Sequence, residues 1–360
     1  MRDFLPLARR AFRTQHGLPD AGDAGVAPDA RDRLFAWARR HRLTGLLQAG
    51  LPDAGEALRT AAYGQAQHTA RCAHEAERLF ILLAPRLRTL ALLKGPALAA
   101  QAWPEAGLRH FDDLDFLCAD RDFPAFAAGM AEAGYAPEVG DPRRRSHLWH
   151  YGWGAAFRHP DGFMVEVKRR FFPPHYPWPC PCNRSWQTAF ADLRLETAAV
   201  RAPTPALHLL LGCLHAVWHG WARLAWIADV AGLLARHPGI FRQAQALAER
   251  CPFAENALAA GGAVAEAVFG PGLCPAAVPP SVIAQAVALS DGSARAMGGR
   301  ELRRFHRQFM TKTEVVSYRF RRVATPGDGD FRWISLPPAL RGLYWFLRPL
   351  RGAIYGTSPY

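Results

Sequence analysis

Two carboxylates set one residue apart in an apolar run, Asp113-Leu114-Asp115-Phe116-Leu117-Cys118, restrict this chain more than any other feature. Leu114 to Cys118 reads as a strand. Because side chains alternate along a strand, Asp113 and Asp115 share one face while Leu114 and Phe116 enter the core. Like charges so close repel one another and want a divalent cation between them. Magnesium, a hard ion that takes one or two carboxylates together with phosphate oxygens, meets that demand, with manganese as the alternative. The same repulsion predicts that neutralising both aspartates leaves the fold at least as stable.

The neighbouring segments supply complementary groups. Leu90 to Leu93 is a short apolar strand, and Gly95-Pro96 opens a helix that reaches Trp103. A strand that ends at Lys94-Gly95 and turns directly into a helix offers backbone N–H groups and the positive helix end to a phosphate. Gly95 also removes the side chain that blocks close approach. Asp120 can cap a helix that Gly134 ends. Trp149 to Phe157 and Phe163 to Arg169 flank the turn His159-Pro160-Asp161-Gly162, which predicts an antiparallel hairpin. Within it Val165-Glu166-Val167-Lys168 alternates, so Glu166 and Lys168 share a face. If the hairpin lies beside the Asp113 strand, Glu166 joins the two aspartates as a two-metal clamp for phosphoryl chemistry.

Around this centre the texture is helical. From Asp29 to about Leu87, apolar residues recur at helical spacing, as in Leu34, Trp37 and Ala38 and again in Ala76, Leu79, Phe80 and Leu83. After a proline-rich segment, Thr204-Pro205 forms an N-cap and N1 pair. Leu207, Leu210, Leu211, Leu214, Val217, Trp218 and Trp221 then fall on one helix face, with His208, His215, His219 and Arg223 nearly opposite. Ala216 stands where a zinc protease needs glutamate, so this stripe reads as a cleft lining or a plain polar face. The fold class is α+β: a small mixed-sheet core at 89–172 embedded between an N-terminal helical region (1–88) and a C-terminal helical domain (173–330). A basic, aromatic tail (331–360), with Tyr344, Trp345 and Phe346, is expected to pack on the body.

Composition narrows the partners. Half of the 360 residues are apolar, which excludes disordered and fibrous classes. Forty-four Lys and Arg against 31 Asp and Glu give +13, a field that favours anionic ligands. Only Lys94, Lys168 and Lys312 are lysines, so two of the three fall within the α/β core. The basic runs Arg143–Arg145 and Lys168–Arg170 read as solvated segments that can guide phosphates. Seven thinly spread cysteines, with Cys180-Pro181-Cys182 lacking metal or redox spacing, read as reduced thiols of a cytoplasmic protein. The N-terminus has no signal-peptide pattern. The most apolar stretch, Leu209 to Leu234, is interrupted by His215, His219, Arg223 and Asp229, so no membrane span is expected.

A glycine at a strand-to-helix turn, an Asp-x-Asp strand and an acid on a later strand resemble the nucleotidyltransferase superfamily that includes DNA polymerase beta. More narrowly, Leu92-Leu93-Lys94-Gly95-Pro96-Ala97-Leu98, then Leu108-Arg109 leading to Asp113-Leu114-Asp115-Phe116-Leu117, and Val165-Glu166-Val167 look like a largely uncharacterised bacterial nucleotidyltransferase family. The likeness extends over residues 30–88, the His215 to Asp229 helix and the Leu336 to Pro349 tail. It implies Asp113, Asp115 and Glu166 as metal ligands and catalytic acids, Gly95 as the phosphate-loop residue, and Lys94 and Arg109 as nucleotide-site residues; Lys168 is counted with the nucleotide site from its position on the Glu166 face. The implied substrate is a nucleoside triphosphate such as ATP, with an acceptor that is RNA, protein or a small molecule. Two positions depart from the pattern: Pro96 replaces the serine of the wider superfamily, and Lys168 stands where this family has histidine.

Two other readings compete. A protein that keeps the pocket without turnover is compatible with the missing serine. An Asp-x-Asp glycosyltransferase needs a substantial βαβ domain before the motif, and the preceding 88 residues read as helical.

Overall fold

The computed structural model describes residues 4–19, 26–51, 53–179, 185–274, 280–290 and 297–355. The Cys180-Pro181-Cys182 segment and the first three residues lie outside that set. The N-terminal half of the expected helical region holds α1 (Leu5–Gln15), α2 (Arg31–His41) and α3 (Thr44–Gly50), followed by the long α4 (Glu56–Leu83). Leu34, Trp37 and Ala38 of α2, and Ala76, Leu79 and Leu83 of α4, are buried as their spacing predicts.

The centre is a five-stranded mixed sheet. Its strands are β1 (Leu90–Leu92), β2 (Asp113–Cys118), β3 (Ala136–Pro137), β4 (Gly154–Arg158) and β5 (Met164–Lys168), ordered β1-β2-β5-β4-β3. The β4–β5 hairpin lies beside β2 through a parallel β2–β5 pairing in which Asp115 is opposite Glu166. Helices α5 (Pro96–Ala102), α6 (Phe123–Glu132) and α7 (Pro142–Tyr151) connect these strands. Two details correct the sequence reading. Asp120 does not cap α6: it pairs with Arg169, while Asp122 stands at the N-cap and accepts from the Thr89 N–H at 2.9 Å. Residues Trp149 to Tyr151 end α7 rather than begin β4, because Asp141 caps that helix through Arg143 N–H and Pro142 fills its first turn.

A second hairpin, β6 (Phe190–Arg194) with β7 (Ala199–Pro203), precedes the C-terminal helices and was not expected there. Thr204 then caps α8 (Pro205–Trp218) as predicted. Helices α9 (Leu224–Arg236), α10 (Ile240–Ala248), α11 (Pro252–Phe269), α12 (Pro280–Ser290), α13 (Gly299–His306) and α14 (Lys312–Ala324) follow, then α15 (Asp328–Trp333) and α16 (Tyr344–Tyr355). In the tail, Tyr344 is fully buried against Phe331 and Tyr151, whereas Trp345 is half exposed and Phe346 is 76% exposed. No helix among the described residues is long and apolar enough to cross a membrane.

Alternation along the strands explains where the site sits. Leu92, Leu114, Phe116, Val165 and Val167 join one apolar core with α4 and α6. Leu93 and Leu117, on the opposite face, pack toward the helical core built from α1, α8, α9 and α11. Asp113, Asp115 and Glu166 lie on that second face, in the gap between two cores.

The helical core also carries buried neutral imidazoles. His306 donates through Nε2 to the Trp218 carbonyl at 2.9 Å and accepts at Nδ1 from the Tyr176 hydroxyl at 2.9 Å. Burial lowers its pKa to about 4, and His175 is lowered to about 4 by burial and by Arg322. Each contributes stability that is complete above the unfolded value of about 6.5 and is lost as pH falls toward 4, at up to about 1.4 kcal/mol per pH unit and group. Thermal unfolding followed from pH 7.5 to 4 is expected to show this decline, with a shallower slope in His306→Gln.

Candidate active site

The register of three strands assembles the site. Leu93 N–H donates to the Asp115 carbonyl at 2.8 Å, which carries the chain out of β1 beside β2 and sets Lys94 next to the aspartates. Gly95 follows with φ +56° and ψ −122°, a conformation that L side chains rarely adopt. A Cβ there would meet only the Phe111 ring at 3.5 Å and the Asp113 carbonyl at 3.7 Å, so backbone conformation, not crowding, selects glycine. The turn offers fewer amides than the sequence implied: Pro96 has none, and Ala97 N–H is occupied by the Lys94 carbonyl at 3.2 Å.

One carboxylate oxygen each from Asp113, Asp115 and Glu166 lies within 4.8 Å of the others. Oxygens on opposite sides of a magnesium ion are separated by about 4.2 Å, from metal–oxygen distances of about 2.1 Å. The trio is therefore near the spread that one ion's ligands span, adjacent ligands of an octahedral ion being about 3 Å apart, and an all-oxygen, hard-donor set of this kind suits magnesium or manganese. Both core lysines meet the same acids. Lys168 Nζ contacts Glu166 and lies 3.4 Å from Asp115 Oδ1, with the Trp153 ring 4.3 Å beneath it. Lys94 Nζ is 3.8 Å from Asp115 Oδ2 and 3.3 Å from His215 Nδ1.

These neighbours drive the two aspartates apart electrostatically. Burial and the adjacent Asp115 raise the pKa of Asp113. Asp115 is only 3% exposed, and burial opposes its ionisation, yet Lys94 and Lys168 together hold its pKa below the ordinary carboxylate value. Lys168 is 7% exposed; burial disfavours its charge, but Asp115 and Glu166 outweigh that and raise its pKa. His215 is pushed well below its usual value by burial and by the Lys94 ammonium. Because an ammonium only donates, the 3.3 Å contact makes Nδ1 of this neutral ring the acceptor for the lysine.

The remaining expected residues are placed as follows. Arg109 is 8% exposed and forms a two-pronged pair with Asp229 of α9, at 2.8 and 3.0 Å, while its Nη1 reaches the Gly95 carbonyl at 3.5 Å. It stands beside the acids but points at a carboxylate. In the histidine stripe, His208 is buried and contacts the Leu93 carbonyl at 2.6 Å and Gln101 Oε1 at 2.7 Å, tying α8 to the end of β1. His215 and His219 line the cleft, with the Trp226 ring 5.1 and 4.7 Å from theirs and Arg223 over that indole. Sequence reasoning missed Trp153, read as a strand residue, and Trp226, which no spacing rule linked to the acids. Asp112, next to the trio, is excluded from it: His110, at 2.7 Å, and Arg42, at 2.6 Å, engage its carboxylate and hold its pKa to about 2.

The cleft beside Gly95 and the acids encloses about 370 Å3, within the size range of small-ligand sites, about 300–1,000 Å3. No curated protein matches the chain. Residues 28–270, which contain every strand of the sheet and all three acids, match the family described as an uncharacterised nucleotidyltransferase. With this match over most of its length, the chain belongs to that uncharacterised nucleotidyltransferase family.

Proposed function

We propose that the protein is a metal-dependent nucleotidyltransferase. An acceptor hydroxyl gives up its proton to solvent and forms a bond to the α-phosphorus of a nucleoside triphosphate, while the bond from that phosphorus to pyrophosphate breaks and pyrophosphate leaves. The observation that carries this reading is the trio of Asp113, Asp115 and Glu166 on adjacent parallel strands, within 4.8 Å, beside a positive-φ glycine turn. Asp113, Asp115 and Glu166 would hold magnesium or manganese, which when bound supplies electrostatic stabilisation at the reacting phosphate.

The protein's own groups divide the other tasks. Lys94, one-third exposed, extends from the acids into the cleft and offsets triphosphate charge. His215, neutral, accepts from that ammonium and fixes its direction. Trp226 and His219 give the cleft wall an aromatic surface on which a base can stack. Gly95 lets the chain approach the phosphates closely, and Lys168 balances the negative charge of Asp115 and Glu166 from inside the sheet. Arg109 acts through Asp229, holding α9 against the turn.

Glu166→Gln tests the assignment. The Glu166 side chain is 32% exposed, against 4% for Asp115, and so is open to an acceptor. The variant is expected to keep nucleotide binding within about threefold and to lose transfer by about 100-fold or more. Calorimetric titration with magnesium and ATP, beside a single-turnover transfer assay, checks both; normal turnover would assign Glu166 a structural role.

A further inference from the structure

The acid trio stands between two cavities. One is the Gly95 cleft; the other, about 330 Å3, runs from the acids past Lys168 to Phe171 and Phe172. Phe171 and Phe172 are also the near wall of a third and larger cavity, about 840 Å3. The strand register leads the same way. Leu117 lies on the Asp113–Asp115 face, is paired with Lys168, and lines this third cavity two residues beyond Asp115.

The large cavity combines two chemistries. Its floor is aromatic: the Phe171 ring packs against Trp178 at 5.4 Å, Trp186 at 5.3 Å and Phe190 at 6.5 Å. Its rim is cationic. Arg169 is neutralised by Asp120, and Arg201 lies 3.7 Å from Asp192. Arg88, Arg170 and Arg321 line the same cavity with no carboxylate partner among the described residues. Desolvation and the neighbouring Arg169 cation lower the pKa of Arg170; Asp120, already engaged by Arg169, opposes this only in part, and Arg321 adds to it. Such a cluster raises the energy of the free protein and lowers it when an anion arrives.

We propose that this cavity is the acceptor site and that it takes a ribonucleotide unit, with the base on the aromatic floor and the phosphate on Arg88, Arg170 and Arg321. The ribose hydroxyl then faces the acids past Phe171 and Phe172. Stacking on aromatic side chains with arginine at the phosphate is the general chemistry of nucleotide-unit recognition. A cationic acceptor is repelled by the rim, and an aliphatic phosphate ester leaves the floor unmatched. The inference rests on the nucleotidyltransferase reading, which supplies the donor in the Gly95 cleft.

The test uses the full chain with magnesium and a saturating non-hydrolysable ATP analogue, so that the donor cleft is filled. Adenosine monophosphate and a short oligoribonucleotide with a free 3′-hydroxyl are titrated separately onto wild type and onto Arg170→Glu/Arg321→Glu. Both arginines are exposed, and reversing their charge relieves repulsion, so the variant's melting temperature should equal or exceed that of wild type. The proposal predicts binding of at least one probe, weakened about tenfold or more in the variant. Binding of the mononucleotide identifies a free nucleotide as the source, and binding of the oligonucleotide alone identifies an RNA end. Absence of binding by both probes, equal affinity in the variant, or displacement of the probe by the ATP analogue would overturn the acceptor site. Failure of the donor reading shows separately, as no binding of the analogue while the arginine-dependent probe affinity persists.

Discussion

Asp115→Asn is expected to abolish magnesium-dependent nucleotide binding and to lower folding stability by about 3 kcal/mol, whereas Asp113→Asn abolishes the binding and leaves stability unchanged or raised. The difference lies in the surroundings of the two carboxylates. Asp115 is buried between Lys94 and Lys168, and removing one partner of a buried charge group typically costs about 3–5 kcal/mol. The lower figure applies because Glu166 still contacts Lys168. Asp113 has a raised pKa, so its ionised form at neutral pH is held against burial and the neighbouring Asp115, and asparagine removes that cost. On this argument, the neutralisation that repulsion alone favours at both aspartates is expected to be harmless only at Asp113, because the lysines around Asp115 outweigh the repulsion there. Urea unfolding of the two single variants, with calorimetric titration of magnesium and ATP, separates the effects.

The second large effect concerns Arg109 and Asp229. Asp229→Ala is expected to cost about 3–5 kcal/mol, since it strands a buried guanidinium and removes the acceptor of the Trp103 indole N–H at 2.8 Å. Arg109→Ala costs a similar amount. The pair joins the segment before β2 to α9, so its loss loosens the wall of the cleft as well as the fold. If Arg109 acts only through Asp229, the double variant Arg109→Met/Asp229→Leu recovers much of the stability and retains nucleotide affinity. A direct phosphate contact instead predicts affinity that stays low in the stable double variant. Thermal unfolding and nucleotide titration on the same samples distinguish the two.

The trio of acids was legible because it depends only on strand alternation and one pairing, and the parallel β2–β5 register satisfies both. The Lys94–Gly95 turn was legible for the same reason, since a short apolar strand followed by Gly-Pro permits few other paths. What surrounds the acids was less so. The histidine stripe was read on a single helix continuing to Arg223, but α8 stops at Trp218, and Gly220 and Trp221 turn with φ +61° and +60°. His215, His219 and Arg223 still meet at the cleft, because the chain doubles back into α9 and brings Trp226 beside them. Helix α7 left a readable signal, the Asp141-Pro142 cap, which the aromatic run after it obscured. The β6–β7 hairpin left a weaker one. Its strands are short and carry exposed Asp192, Arg194 and Arg201, and its turn is fixed from outside by Glu77 of α4, which accepts from Thr197 N–H, Thr197 Oγ1 and Ala198 N–H. Contacts that arrive from a distant helix leave no local pattern to read.

Incubation with magnesium, cell extract and a nucleoside triphosphate labelled either at the α- or at the γ-phosphate tests the central claim most directly. The account predicts that wild type moves the α-label, and never the γ-label, onto an acceptor with release of pyrophosphate, and that Asp113→Asn, expected to keep its fold, moves neither. Transfer of the γ-label, or equal α-label transfer by wild type and Asp113→Asn, would contradict it.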